Sequence, residues 1–165
     1  MTGIRITVKV PQMVLNSAQV RAKILQTMRT HTGPDLRREF KKTVEGWETA
    51  PDFDMKFLEH SGSLATQVFP VGSGKATYEL VNEGSPAHTI TPRRGGALRF
   101  QTGYRSATSP RTIGSRAKSR SGPFVSAGIV HHPGFEARKF DETIADDYTD
   151  TFEQDIQDAI NSAVP

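Results

Sequence analysis

The chain offers few side chains that could make or break bonds, and each grouping lacks a part that its chemistry needs. Val71-Gly72-Ser73-Gly74-Lys75 has the glycines and lysine of a phosphate-cradling loop. Such a loop also needs a glycine five residues before its Gly-Lys and a magnesium-binding hydroxyl after the lysine, and Phe69 and Ala76 stand there instead. A polar turn is the simpler reading. His131 and His132, with His88 or Glu136, are metal-ligand types. Adjacent residues of a strand project to opposite faces, however, so a shared ion would require a distorted backbone. Carboxylate pairs near the C-terminus could act as acid and base only in a pocket that separates their pKa values. A solvated acidic face is the plainer reading. The chain has no cysteine, which excludes thiol catalysis, cysteine-ligated zinc and iron–sulfur clusters. The expectation is therefore no catalytic residue, no cofactor, no metal and no enzyme.

Charge is the more informative feature. The net charge of +3 conceals ten basic residues against Glu136 alone between positions 88 and 139, followed by eight acidic residues and no Lys or Arg from 140 to 165. Copies of the chain could pair these regions head to tail, or the two could neutralise each other within one molecule. Residues 103–122 contain five serines, five basic residues and no acidic one, too few apolar groups to fold alone. This stretch is expected to be a mobile loop that orders against DNA or an acidic neighbour through Arg105, Arg111, Arg116, Lys118 and Arg120. Tyr104 is its only aromatic residue, so base stacking and sequence-specific reading of nucleic acid lack support.

The elements that must position these groups belong to a single domain of 165 residues. With 35% hydrophobic and 24% charged residues and a mean hydropathy of -0.49, it has one modest core and no apolar run of membrane-spanning length. The N-terminus lacks the apolar region of a signal peptide, so synthesis in the cytoplasm and no membrane partner are expected. Residues 1–50 read as a strand and helices. Ile4, Ile6, Val8 and Val10 alternate with polar residues up to Pro11. A helix capped by Asn16 or Ser17 follows, with Ala18, Ala22, Leu25 and Met28 as its apolar positions. Gly33-Pro34 interrupts it and opens a second helix with the stripe Leu36, Phe40, Val44 and Trp47.

A change to period two predicts a hairpin over 53–70, turning at 61–63, and shorter strands near 88–92, 97–102 and 124–130. The sheet thus draws on 51–102 and 124–135, on either side of the basic loop. A last helix over 140–163 carries Phe140, Ile144, Tyr148, Phe152, Ile156 and Ile160 at steps of four. Each such step drifts by about 40° around a helix, so the stripe cannot face one flat surface. Either the helix bends around its own domain or its distal half meets another subunit. In the second case Phe152, Ile156 and Ile160, flanked by Asp155 and Asp158, are partly exposed in the monomer and form a subunit interface. The expected class is α+β, an antiparallel sheet packed against N-terminal helices and a long C-terminal helix.

Two segments carry a likeness to a known family. Residues 78–85, YELVNEGS, supply an aromatic residue, a short helical turn, an acidic residue and Gly-Ser. Residues 130–140, VHHPGFEARKF, supply a strand, a His-Pro-Gly turn, an Ala-Arg pair and a phenylalanine opening the last helix. Together they resemble the tail-completion or head–tail joining proteins of long-tailed bacteriophages, over roughly residues 75–165. The family has a proline where Lys139 stands. The resemblance implies a virion structural protein forming a ring between capsid portal and tail tube. A hexamer is expected, with a dodecamer as the other option, touching neighbouring connector and tail proteins and, non-specifically, the DNA in the channel. The alternative is a nucleic-acid-binding accessory protein that uses the basic loop. Physically, Gly84 and Gly134 permit positive φ and Pro133 fixes the chain before its turn, while Phe135 and Phe140 bury the start of the last helix. These are packing roles with no reactive group among them.

Overall fold

The computed structural model describes residues 4–8, 18–60, 63–93, 95–103, 106, 108–114 and 122–163. Of the five basic loop residues singled out above, Arg105, Arg116, Lys118 and Arg120 lie outside these, as do the helix caps Asn16 and Ser17. The fold is α+β, with antiparallel strands, N-terminal helices and one long C-terminal helix.

The central sheet has the order β1 (Ile4–Val8), β3 (Ser63–Val71), β2 (Asp52–His60). β2 and β3 form the expected hairpin, in a register running from Asp52 opposite Val71 to His60 opposite Ser63. Flanked on both sides, β3 buries Leu64, Thr66 and Val68 on one face and Ala65 on the other. In β2, Phe53 is fully buried and Met55 and Phe57 are half-buried, while Asp54 and Lys56 face solvent, the alternation a one-sided strand requires.

The N-terminal helices differ from expectation in two ways. Helix α1 (Ala18–Thr27) buries Val20, Ile24 and Met28, the last just beyond its end, and leaves Ala18 and Ala22 exposed with Leu25 half-buried. Larger side chains remove more apolar area from water than alanines do, so they set the buried face. Nor does Gly33-Pro34 break the helix. Residues Met28–Thr32 form a π-helical turn that runs straight into α2 (Gly33–Thr43), and the Gly33 N–H donates to the Met28 carbonyl. Widening the turn shifts the hydrogen-bond pattern ahead of Pro34, which has no N–H to give. Gly33 faces β2, where an added Cβ would stand 3.2 Å from the Phe57 ring and 3.3 Å from the Met55 sulfur.

Helix α2 buries Leu36 and Phe40, with Val44 buried just beyond its end and Trp47 half-buried, as its stripe predicts. Its basic residues are partly spoken for. Arg37 and Lys41 both reach Asp52, at 3.3 and 3.2 Å. The Phe53 N–H, then Lys41 and Arg37, hold the Asp52 carboxyl down at about 2. The core centres on Tyr78, whose ring centroid lies 5.2 Å from that of Phe53, 5.8 Å from Phe140 and 6.4 Å from both Phe40 and Trp47.

The remaining strands do not extend this sheet. They form two separate two-stranded ribbons, β4 (His88–Ile90) with β7 (Val130–His132), and β5 (Leu98–Gln101) with β6 (Phe124–Ala127). Helix α4 (Phe140–Ala163) packs along α1 and α2. Among the described residues, no helix is long and apolar enough to cross a membrane.

Candidate assembly site

Helix α3 (Lys75–Glu83) anchors the region. It begins at Gly74, in the phosphate-loop lookalike. An added Cβ there would lie 2.7 Å from the Ala50 carbonyl carbon and the Thr49 oxygen, so this glycine serves a close backbone contact. One turn apart, Tyr78 and Asn82 face the core. The Asn82 side-chain oxygen accepts from the N–H of Phe140 at 2.7 Å and of Asp141 at 3.4 Å, and its main-chain carbonyl accepts from Lys139 at 3.1 Å. A residue on one helix thus caps another, satisfying donors that every helix start leaves without partners. Lys139, at φ 54°, turns the chain into that cap. Asn82→Ala should lower unfolding stability by about 1–2 kcal/mol in urea titrations.

Residues 84–85 and 134–135, 50 positions apart in sequence, are locked together by a pair of backbone hydrogen bonds. Ser85 N–H donates to the Phe135 carbonyl at 3.0 Å and Phe135 N–H to the Ser85 carbonyl at 2.9 Å. Gly84 (φ 79°) lets the Ala137 backbone approach to where a Cβ would be 2.6 Å from its nitrogen, and at Gly134 (φ 82°) a Cβ would overlap the Ser85 carbonyl. The two segments singled out in sequence therefore meet in space as one joint. Pro133 is exposed ahead of the turn, Phe135 is half-buried and Phe140 is fully buried.

From this joint runs the β4–β7 ribbon. The His88 and His132 rings stack across it with centroids 5.0 Å apart, and the Gly134 N–H donates to His132 Nδ1 at 3.0 Å. His131 is turned to the other face, against Thr89 at 3.2 Å, as adjacent strand residues must be. No group of three or more metal-ligating side chains converges among the described residues.

Arg138 is the other buried polar group at the joint. Its Nε donates to Thr108 Oγ1 at 3.2 Å, Nη1 to the Glu136 carbonyl at 3.2 Å and Nη2 to Ser106 Oγ at 3.3 Å. Arg111 donates its N–H to the Arg138 carbonyl at 2.9 Å and leaves its side chain in solvent, while Ile113 packs against the core. The described middle of the basic stretch is thus seated on the body, which its composition alone does not suggest. Arg138 supplies the donors that hold it there.

Between the ribbons lies a groove of about 580 Å³, lined by Ile90, Val130, Leu98, Phe100 and Phe124, with Arg99 at its side. The Arg99 guanidinium sits 5.2 Å from the centroid of the Phe124 ring. Of the five large hydrophobic side chains exposed among the described residues, Ile90, Phe100, Phe124 and Ile129 belong to the ribbons or their connection, and Phe124 is 63% exposed. Clustered exposure of this kind makes the groove a candidate interaction surface.

The distal part of α4 requires a correction. Phe152 and Ile156 are each only 7% exposed and belong to the protein's own core, and Ile160 is half-buried against it. The apolar stripe escapes its drift by a step of three, from Ile156 to the buried Ala159, which returns it to the face covering α1. Phe152 and Ile156 therefore lack the expected exposure, and of the three only Ile160 keeps part of its surface in solvent. Asp155 turns inward to accept from Thr32 at 3.2 Å, and Asp158 accepts from Gln154 at 3.0 Å. What α4 does show to solvent is acidic, with Asp146, Asp147, Asp150 and Glu153 all exposed. Among the described residues the sole ion pair of this helix joins Glu142 to Lys139 at 2.9 Å.

No protein-family model, curated protein or solved structure matches this chain.

Proposed function

We propose that this protein is a non-enzymatic structural subunit that assembles with copies of itself into a ring, acting at the head–tail junction or upper tail of a long-tailed bacteriophage virion after synthesis in the host cytoplasm. The observation that carries the assembly reading is the ribbon groove, an exposed apolar surface fixed to the core by a joint of glycines, Asn82 and Arg138. Apolar side chains held in solvent on a rigid support suit a surface that another protein covers. The phage setting rests on the resemblance of residues 78–85 and 130–140 to head–tail joining proteins, with the connector and tail proteins and the channel DNA as neighbours.

Sedimentation velocity over a range of concentrations, with negative-stain imaging and mass measurement, tests the reading. The expected result is a concentration-dependent ring of one size, a hexamer or else a dodecamer. A subunit that stays monomeric at every concentration would overturn it. Duplex DNA binding by that monomer, fading as salt rises, would favour the nucleic-acid accessory role instead.

A further inference from the structure

We infer that the ribbon groove of one subunit receives the acidic face of α4 from a second copy, so that copies join head to tail. This rests on the ring reading and specifies its two contact surfaces. Charge complementarity selects the occupant. The described residues from 84 to 135, which include both ribbons, carry Arg93, Arg99 and Arg111 and no Asp or Glu, whereas α4 contains eight Asp or Glu and no Lys or Arg. Among the described residues, no ion pair joins a ribbon to α4.

Helix α4 also carries like charges one turn apart, as in Glu142 with Asp146, Asp146 with Asp150, and Asp150 with Glu153. Such pairs repel on an isolated helix, and a cationic neighbour relieves them. The groove offers that neighbour. Arg99 holds its guanidinium beside an apolar floor against which a helix can lie. Because the two surfaces differ, each subunit keeps one of each free, and the chain of contacts ends only when a ring closes.

The test uses two assembly-defective variants of the full chain. Arg99→Glu puts an anion in the groove, and Asp147→Lys with Asp150→Lys makes the helix face basic. Each alone should weaken self-association by roughly thirtyfold or more, chiefly at low salt. Mixed in equal amounts, they should regain rings of alternating subunits, since every contact again pairs opposite charges. Phe124→Ser should weaken assembly at all salt concentrations. If the wild type forms rings and the charge variants do so equally well, or if their mixture stays dissociated, the inference fails and the ring reading stands. A monomeric wild type overturns both, and Arg99-dependent capture of a DNA duplex by that monomer would assign the groove to nucleic acid.

Discussion

Phe140→Ala should cost about 3–5 kcal/mol in denaturant-induced unfolding, the usual range for deleting a buried phenylalanine ring. The ring is fully buried, lies 5.8 Å from Tyr78 and starts the helix that closes the core over α1 and α2. The Phe140 N–H is also the nearer of the two that Asn82 caps. The void would therefore open where α3 and α4 are tied together, where there is little freedom to collapse. A domain of this size has a total stability of only about 5–15 kcal/mol, so the variant should be near its unfolding threshold. Phe140→Leu, which refills most of the space, should lose less than about 1.5 kcal/mol. An unchanged midpoint for the alanine variant would remove Phe140 from the core.

Gly134→Ala should destabilise by about 2–4 kcal/mol, combining the left-handed backbone penalty with the cost of forcing a methyl into occupied space. Gly72 provides the internal control. Both glycines have nearly the same φ, 82° and 81°, but a Cβ on Gly134 would overlap the Ser85 carbonyl while one on Gly72 meets nothing within 4 Å. Gly72→Ala should therefore show the conformational penalty alone, about 1–2 kcal/mol. The excess at Gly134 measures the closeness of the joint, and equal losses at the two sites would mean the joint yields freely. Because Ser85 and Phe135 exchange their hydrogen bonds beside this glycine, Gly134→Ala should also disturb the ribbon that begins there.

Local patterns made much of the fold legible. The hairpin, the stripe of α2 and the apolar positions of α4 down to Ile156 follow from periods of two and of roughly 3.6, because each pattern is set by neighbours close in sequence. In α1 the pattern misled, since Ala18 and Ala22 weigh as much as Val20 and Ile24 in a binary reading but bury far less surface. The π-helical turn before Pro34 was hidden, because proline advertises a break and not the local widening that avoids one. Nor could spacing reveal that Asn82 caps a helix 58 residues away or that Arg138 grips Thr108 across 30 residues. Such pairings depend on which segments meet. For the candidate assembly surface, the charge asymmetry and the two turn motifs were readable in the sequence. The groove was not legible, since Ile90, Phe100 and Phe124 come from three short strands whose partners lie far along the chain.

The separation between partners also gives the fold an order in time. β2 and β3 are joined through only two residues, whereas Thr89 and His131, paired across the β4–β7 ribbon, are 42 residues apart. Each doubling of a loop adds about 0.6 kcal/mol of closure entropy, so the hairpin can zip early and the long-range ribbon must await a formed core to hold its ends together. The groove between the ribbons is consequently the last part of the molecule to mature. In a newly made chain, the interior is therefore complete before the two walls of the groove come together.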